Sequence, residues 1–193
     1  MSTMRHLDDD ATVRLRAKAG SRQMRGRWRT GAGEESDERS VRRGHDKSVR
    51  IGATRVGKGL FARRRYPAET VIGEIKGQII DDPHYGSDYC MNIGEGRALE
   101  PTAPFRYVNH SCEPNCEFDF FDLRDAGETE TRRRVFLIAL REIKPGEELT
   151  IDYNWSAASA IPCRCQAPSC RGWIVDPGQL DALRARLAAQ DAA

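Results

Sequence analysis

The chain of 193 residues carries 31 Lys+Arg against 29 Asp+Glu, a net charge of +2, with 39% hydrophobic residues and a mean hydropathy of -0.65. That suffices for one domain of ordinary size with tails. No apolar run approaches the roughly 20 residues that cross a bilayer as a helix, and the N-terminal residues lack the apolar centre of a secretory leader, so the expectation is a soluble, intracellular monomer with no membrane partner.

Residues 1–47 are rich in Arg, Gly, Ser, Asp and Glu with scattered Leu, Val, Met and Trp, too few to bury the surface that ordering requires, so they read as a disordered arm. Its charge is basic: through Arg50 there are 13 Lys+Arg against 8 Asp+Glu (+5), leaving 18 against 21 (−3) for the rest. The cluster Arg22 to Arg29, with Trp28 inside it, has the cations and the aromatic for a weak nucleic-acid contact, set against the plainer reading as a solvated linker.

From Val49 the texture changes to short β-rich runs broken by turn residues: Val49 to Thr54, Gly59 to Ala62, Thr70 to Ile75 with Gln78 to Ile80, Asp88 to Ile93, Cys116 to Phe121, Arg134 to Ala139 and Glu148 to Tyr153. Lys144-Pro145-Gly146-Glu147 signals the turn before the last. Leu123 to Arg133 reads as an exposed hairpin loop. After Ile174, Asp176 is placed as an N-cap with Pro177 at the first helical position, and Leu180, Leu183 and Leu187 repeat at helical spacing. The expectation is a mainly β chain of small packed sheets with one C-terminal helix.

Three stretches hold more polar chemistry than loops require. Arg106-Tyr107-Val108-Asn109-His110-Ser111-Cys112-Glu113-Pro114-Asn115-Cys116 packs an Arg, an Asn-His pair and two thiols together; Cys163, Cys165 and Cys170 follow C-x-C-x4-C, a metal-ligand spacing; Gly146 to Tyr153 ends a strand on a Tyr. Thiols held reduced on zinc are favoured over disulfides, which an extracellular domain would need. Cys90 and Cys116 read as small buried hydrophobes.

With Gly57-Lys58-Gly59-Leu60-Phe61-Ala62 upstream, these motifs stand in the order of the SET-domain protein lysine methyltransferases, which the chain resembles from about Val49 to Ile174, short post-SET zinc segment included. The resemblance implies a fold of small curved sheets with a pseudoknot-like C-terminal core, divided as a SET domain over 48–156, a post-SET segment over 157–175 and a helix over 176–193. It implies transfer of methyl groups from S-adenosylmethionine to a lysine of a protein substrate in a basic, extended segment. For the cofactor it implies Lys58, Gly59, Leu60, Tyr89, Arg106, Asn109 and His110, and for catalysis Tyr153. The lysine pocket falls to Tyr89, Tyr107, Phe118, Ile151 and Tyr153. A structural Zn2+ falls to Cys112, Cys163, Cys165 and Cys170, with Cys112 supplied by the family pattern. Ile151 stands two before Tyr153, where the family often has Phe or Tyr; with no hydroxyl there, addition of several methyls is not blocked at that position, and Phe118 is the neighbouring-strand candidate to fill the space. The rival reading is an inactive zinc-containing module serving as a binding scaffold.

Overall fold

A computed structural model describes residues 48–123 and 132–191. The basic arm, with its Arg22–Arg29 cluster, and nearly all of the expected loop after Leu123 lie outside the described residues.

The strands run β1 (Val49–Thr54), β2 (Gly57–Ala62), β3 (Val71–Ile75), β4 (Gly77–Ile80), β5 (Met91–Gly94), β6 (Arg97–Pro101), β7 (Asn109–His110), β8 (Cys116–Leu123), β9 (Arg132–Ala139), β10 (Glu148–Ile151), β11 (Ile161–Pro162) and β12 (Trp173–Ile174), followed by α1 (Leu180–Asp191). They form small sheets ordered β1-β2-β10-β7, β3-β9-β8 and β4-β6-β5, with β11-β12 as a two-stranded ribbon. Among the described residues no helix is long and apolar enough to cross a membrane.

Local chemistry explains most boundaries. β1 and β2 meet in a tight hairpin with Thr54 opposite Gly57, whose φ of +120° a side chain would resist. Before β10, Pro145 and Gly146 (φ +88°) occupy the middle of a turn closed by Glu147 N–H donating to the Lys144 carbonyl at 3.2 Å. β8 and β9 pair in unbroken register from Cys116 opposite Ala139 to Leu123 opposite Arg132. Leu60, Tyr66, Ile93, Leu137, Ile143 and Leu149 fill the centre.

Three readings from sequence need correction. The run from Asp88 does not start as a strand: Ser87 Oγ accepts the N–H groups of Tyr89 (3.2 Å) and Cys90 (3.0 Å), engaging those amides in a local turn, and β5 begins only at Met91. The strand after Glu148 stops at Ile151, because the Tyr153 amide turns to the His110 ring. β6, the centre of its sheet, was not anticipated; it is five residues long and follows a turn with positive φ at Gly94, Glu95 and Gly96.

The C-terminal element forms as expected. Asp176 Oδ1 accepts from Gly178 N at 2.7 Å, Pro177 opens a short 3-10 turn, and α1 follows with Leu183 buried.

Candidate active site and thiol cluster

The β1-β2-β10-β7 sheet positions the candidate residues. β10 lies between antiparallel β2 and parallel β7, with Thr150 beside Asn109 and Ile151 beside His110. This brings the Asn-His pair and the end of β10 into one place although about 40 residues separate them in the chain.

On one side of that junction opens a cavity of about 870 Å³. Tyr89, Arg106, Phe118, Ile151 and Tyr153 line it, with Met91, Phe105 and Trp155. The Tyr153 hydroxyl donates to the Val108 carbonyl at 2.9 Å, and burial, helped by Tyr89 and Glu148, pushes its pKa up to about 12. The phenol therefore stays protonated with its hydrogen committed to Val108, leaving oxygen lone pairs as acceptors. Trp155 packs 5.5 Å from Tyr153 between ring centroids. It was not singled out from the sequence, where only an aromatic two residues after Tyr153 hinted at it.

Cations and rings alternate beside the cavity. Lys58 Nζ lies 5.3 Å from the Tyr107 ring, and the Arg106 guanidinium sits 4.2 Å from Tyr89 and 6.0 Å from Tyr107. Arg106 also faces Glu100 at 3.8 Å, while its Nε is buried without a hydrogen-bond partner. Tyr107 thus stands between Lys58 and Arg106. It does not line the cavity.

Lys58, Gly59, Leu60, Asn109 and His110 do not line the cavity either. Asn109 Nδ2 donates to the Lys58 carbonyl (3.0 Å) and to Glu148 Oε1 (2.8 Å). Gly59 is required by this packing: a Cβ there would lie 2.5 Å from Thr54 Cγ2 and 2.6 Å from Glu148 Oε1. Leu60 is fully buried between Ile51 and Leu149.

Behind Tyr153, Cys112, Cys163, Cys165 and Cys170 gather. Cys112 Sγ lies 3.8 Å from Cys163 Sγ and 3.9 Å from Cys170 Sγ, and each of the four thiols interacts with the other three. A tetrahedral zinc with sulfur ligands at 2.3 Å has S···S edges of about 3.8 Å, so the donor set fits that ion. Burial would raise the Cys165 thiol, but backbone N–H groups of Cys112 and Ala167 and the neighbouring thiols outweigh it and bring the pKa down to about 6.

His110 also comes within ligand range of Cys112, Cys163 and Cys165, which makes it a competitor of Cys170 for the fourth place. Its hydrogen bonds argue against that role. Nδ1 accepts the Tyr153 N–H at 3.3 Å, so in the neutral ring Nε2 carries the hydrogen and points it at Cys112 Sγ, 3.4 Å away. Burial, opposed by Asp152, lowers the His110 pKa and keeps the ring neutral. Cys116 is fully buried as expected; Cys90 is half-exposed at the cavity wall, its sulfur exchanging hydrogen bonds with the Ser87 backbone.

The SET domain family model matches residues 57–154, half of the chain, and the chain belongs to that family. It is 39% identical over 101 residues to the histone-lysine N-methyltransferase ash1 of Drosophila melanogaster, covering 49% of this chain and 4% of that one. It is 32% identical over 145 residues to the H3 lysine-4 specific histone-lysine N-methyltransferase of Schizosaccharomyces pombe, covering 66% and 15%. The chain therefore spans a small part of these relatives' length. Among solved structures it is similar in fold to KRYPTONITE in complex with mCHH DNA, H3(1-15) peptide and SAH, with a TM-score of 0.55 and 23% identity over 65% of this chain and 29% of that chain.

Proposed function

We propose that the chain is an S-adenosylmethionine-dependent protein-lysine N-methyltransferase with Tyr153 as its catalytic residue. The observation that carries this reading is the Tyr153 hydroxyl on the wall of an aromatic cavity, its O–H donating a hydrogen bond to the Val108 carbonyl. Support comes also from the relatives, named as histone-lysine N-methyltransferases, and from the neighbour crystallised with an H3 peptide and SAH. The substrate is then a lysine in a basic, extended, histone-like segment, and a chromatin-associated location follows from that substrate. Weak phosphate contact by the basic arm belongs to the same proposal; deletion of residues 1–47 tests it against salt-dependent DNA binding.

The residues present fit the cofactor. A cavity of about 870 Å³ lies toward the upper end of ligand sites, with room for a nucleoside and a lysine side chain together. Tyr89 and Arg106 would hold it from the cavity, Arg106 bringing a buried N–H that lacks an acceptor. The family's other positions, Lys58, Gly59, Leu60, Asn109 and His110, stand outside this cavity, whereas Trp155 within it offers a flat face for a purine. When bound, S-adenosylmethionine supplies an electrophilic methyl group.

The chain's own residues supply alignment and electrostatics. Tyr89, Phe118, Ile151 and Tyr153 enclose the lysine in apolar walls, where desolvation disfavours the ammonium, so its proton leaves to solvent and a neutral amine is presented. Tyr153 Oη, with its hydrogen already committed to Val108, would offer its lone pairs as an acceptor for weak C–H···O contacts from the bound methyl donor. Cys112, Cys163, Cys165 and Cys170 would hold one zinc in a closed site with a structural role.

Calorimetric titration of the zinc-loaded full chain with S-adenosylmethionine, followed by transfer of tritiated methyl groups to histones and other basic proteins, tests the proposal. Absence of cofactor binding would overturn it and leave the scaffold reading.

A further inference from the structure

Two adjacent residues just beyond β10 are each held by a different arm of the thiol cluster. The Tyr153 amide donates to His110 Nδ1, and His110 Nε2 meets Cys112. Asp152 is held by Arg171, the neighbour of Cys170, whose Nη2 lies 2.8 Å from both carboxylate oxygens. The same nitrogen donates to the Val175 carbonyl at 3.1 Å, and the Arg171 backbone N–H reaches Cys112 Sγ at 3.5 Å. The two ionic side chains are only 13% and 15% exposed, and Arg171 Nε is buried without a hydrogen-bond partner, so little water competes for the pair.

Asp152 also faces His110 Nδ1 at 3.5 Å, but it is not one of the gathered thiols. Its pair with Arg171 ties the backbone just past β10 to the segment that carries the late cysteines, and the residues that follow, Tyr153, Asn154, Trp155 and Ser156, form one wall of the cavity. Val175 and Asp176 close the frame from the other side, Asp176 N donating to the Trp155 carbonyl at 2.7 Å. A guanidinium placed between cluster and wall couples the order of one to the position of the other.

We propose that Arg171 is a positioning residue: its ion pair with Asp152 carries the order of the loaded thiol cluster to the Tyr153–Ser156 wall, so that cofactor affinity depends on the pair even when zinc is fully bound. The inference rests on the methyltransferase reading for its ligand, and the experiment separates the two. Full-length parent, Arg171→Ala, Arg171→Lys, Asp152→Asn, the single changes Asp152→Arg and Arg171→Asp, and the exchange that combines those two are compared. The readouts are zinc per chain, S-adenosylmethionine Kd, and amide hydrogen exchange over 152–156 and 163–172.

In Arg171→Ala and Asp152→Asn, zinc stays at the parent level while the Kd rises at least about tenfold, as loss of a largely buried ion pair predicts. Exchange accelerates over 152–156 only; Arg171→Lys recovers part of the affinity, and the exchanged pair binds better than either of its single changes. A Kd within twofold of the parent in Arg171→Ala overturns the inference, as does zinc lost in step with cofactor in all variants. If the parent binds no S-adenosylmethionine, the methyltransferase reading fails. Hydrogen exchange then decides this inference alone: faster exchange confined to 152–156 supports it, and unchanged exchange refutes it.

Discussion

Asn115 offers the sharpest test of how the sheet around the site is held. It is 4% exposed, and its amide stands in for a missing strand partner: Nδ2 donates to the Glu148 carbonyl at 2.8 Å and Oδ1 accepts the Thr150 N–H at 2.9 Å. The Thr150 hydroxyl and the Cys116 thiol lie at 3.4 Å from the same oxygen. Asn115→Ala removes both strong bonds and leaves two main-chain groups without that partner, at about 1–3 kcal/mol each. A total of about 4 kcal/mol lowers the melting temperature by roughly 8–16 °C in a chain of this size. Asn92→Ala is the control, because Asn92 Oδ1 accepts only the exposed Gly94 N–H at 2.8 Å; there the drop stays below about 4 °C. Differential scanning calorimetry of the zinc-loaded proteins reads both. An Asn115→Ala melt within 3 °C of the parent, taken here as roughly 1 kcal/mol or less, refutes the argument that this side chain closes the ladder.

Tyr153→Phe removes one hydroxyl and its bond to Val108, so zinc content and cofactor binding persist while tritium transfer falls by about 10²-fold or more; activity within threefold of the parent contradicts the assignment. Chelation with excess EDTA removes cofactor binding together with metal, and zinc readdition under reducing conditions restores both, followed by thiol titration. Ile151→Tyr places a hydroxyl against the cavity wall and shifts product toward the monomethyl form, read by intact mass on a peptide; a parent enzyme that stops strictly at one methyl counts against the reasoning. Arg134, through paired hydrogen bonds of 2.7 and 2.6 Å, lowers the Glu74 pKa, with burial opposing. A depressed carboxyl stabilises the fold above its unfolded pKa and loses that contribution as pH falls through the folded one. The melting advantage of the parent over Glu74→Gln, on the order of 1 kcal/mol, is therefore full near neutral pH and vanishes in acid below the ordinary Glu range, as pH-resolved melts can show.

What was legible in the sequence was what alternation and spacing encode locally. Val49 to Thr54 alternates and forms a strand with those bounds, and the Asp176-Pro177 signal marks the start of the terminal helical element. The C-x-C-x4-C spacing foretold three of the four gathered sulfurs. The rest depends on tertiary partners. Asp88 to Cys90 has the texture of a strand until Ser87 captures its amides, and Arg97 to Pro101 becomes a central strand because β4 and β5 flank it. Arg171 and Asp152 are unremarkable charges in the chain and become a pair only when the cysteine segment folds back onto the end of β10.

The placement of β10 between β2 and β7 has a consequence for biosynthesis. As the polypeptide emerges from the ribosome, β2 must wait for nearly 90 residues with one main-chain edge unsatisfied, since its second neighbour begins at Glu148. A nascent fragment stalled before that point displays a bare strand carrying Leu60 and Phe61 and invites self-association. Ribosome-bound chains of increasing length should accordingly turn from chaperone-dependent to protease-resistant only once residues beyond 151 have cleared the exit tunnel.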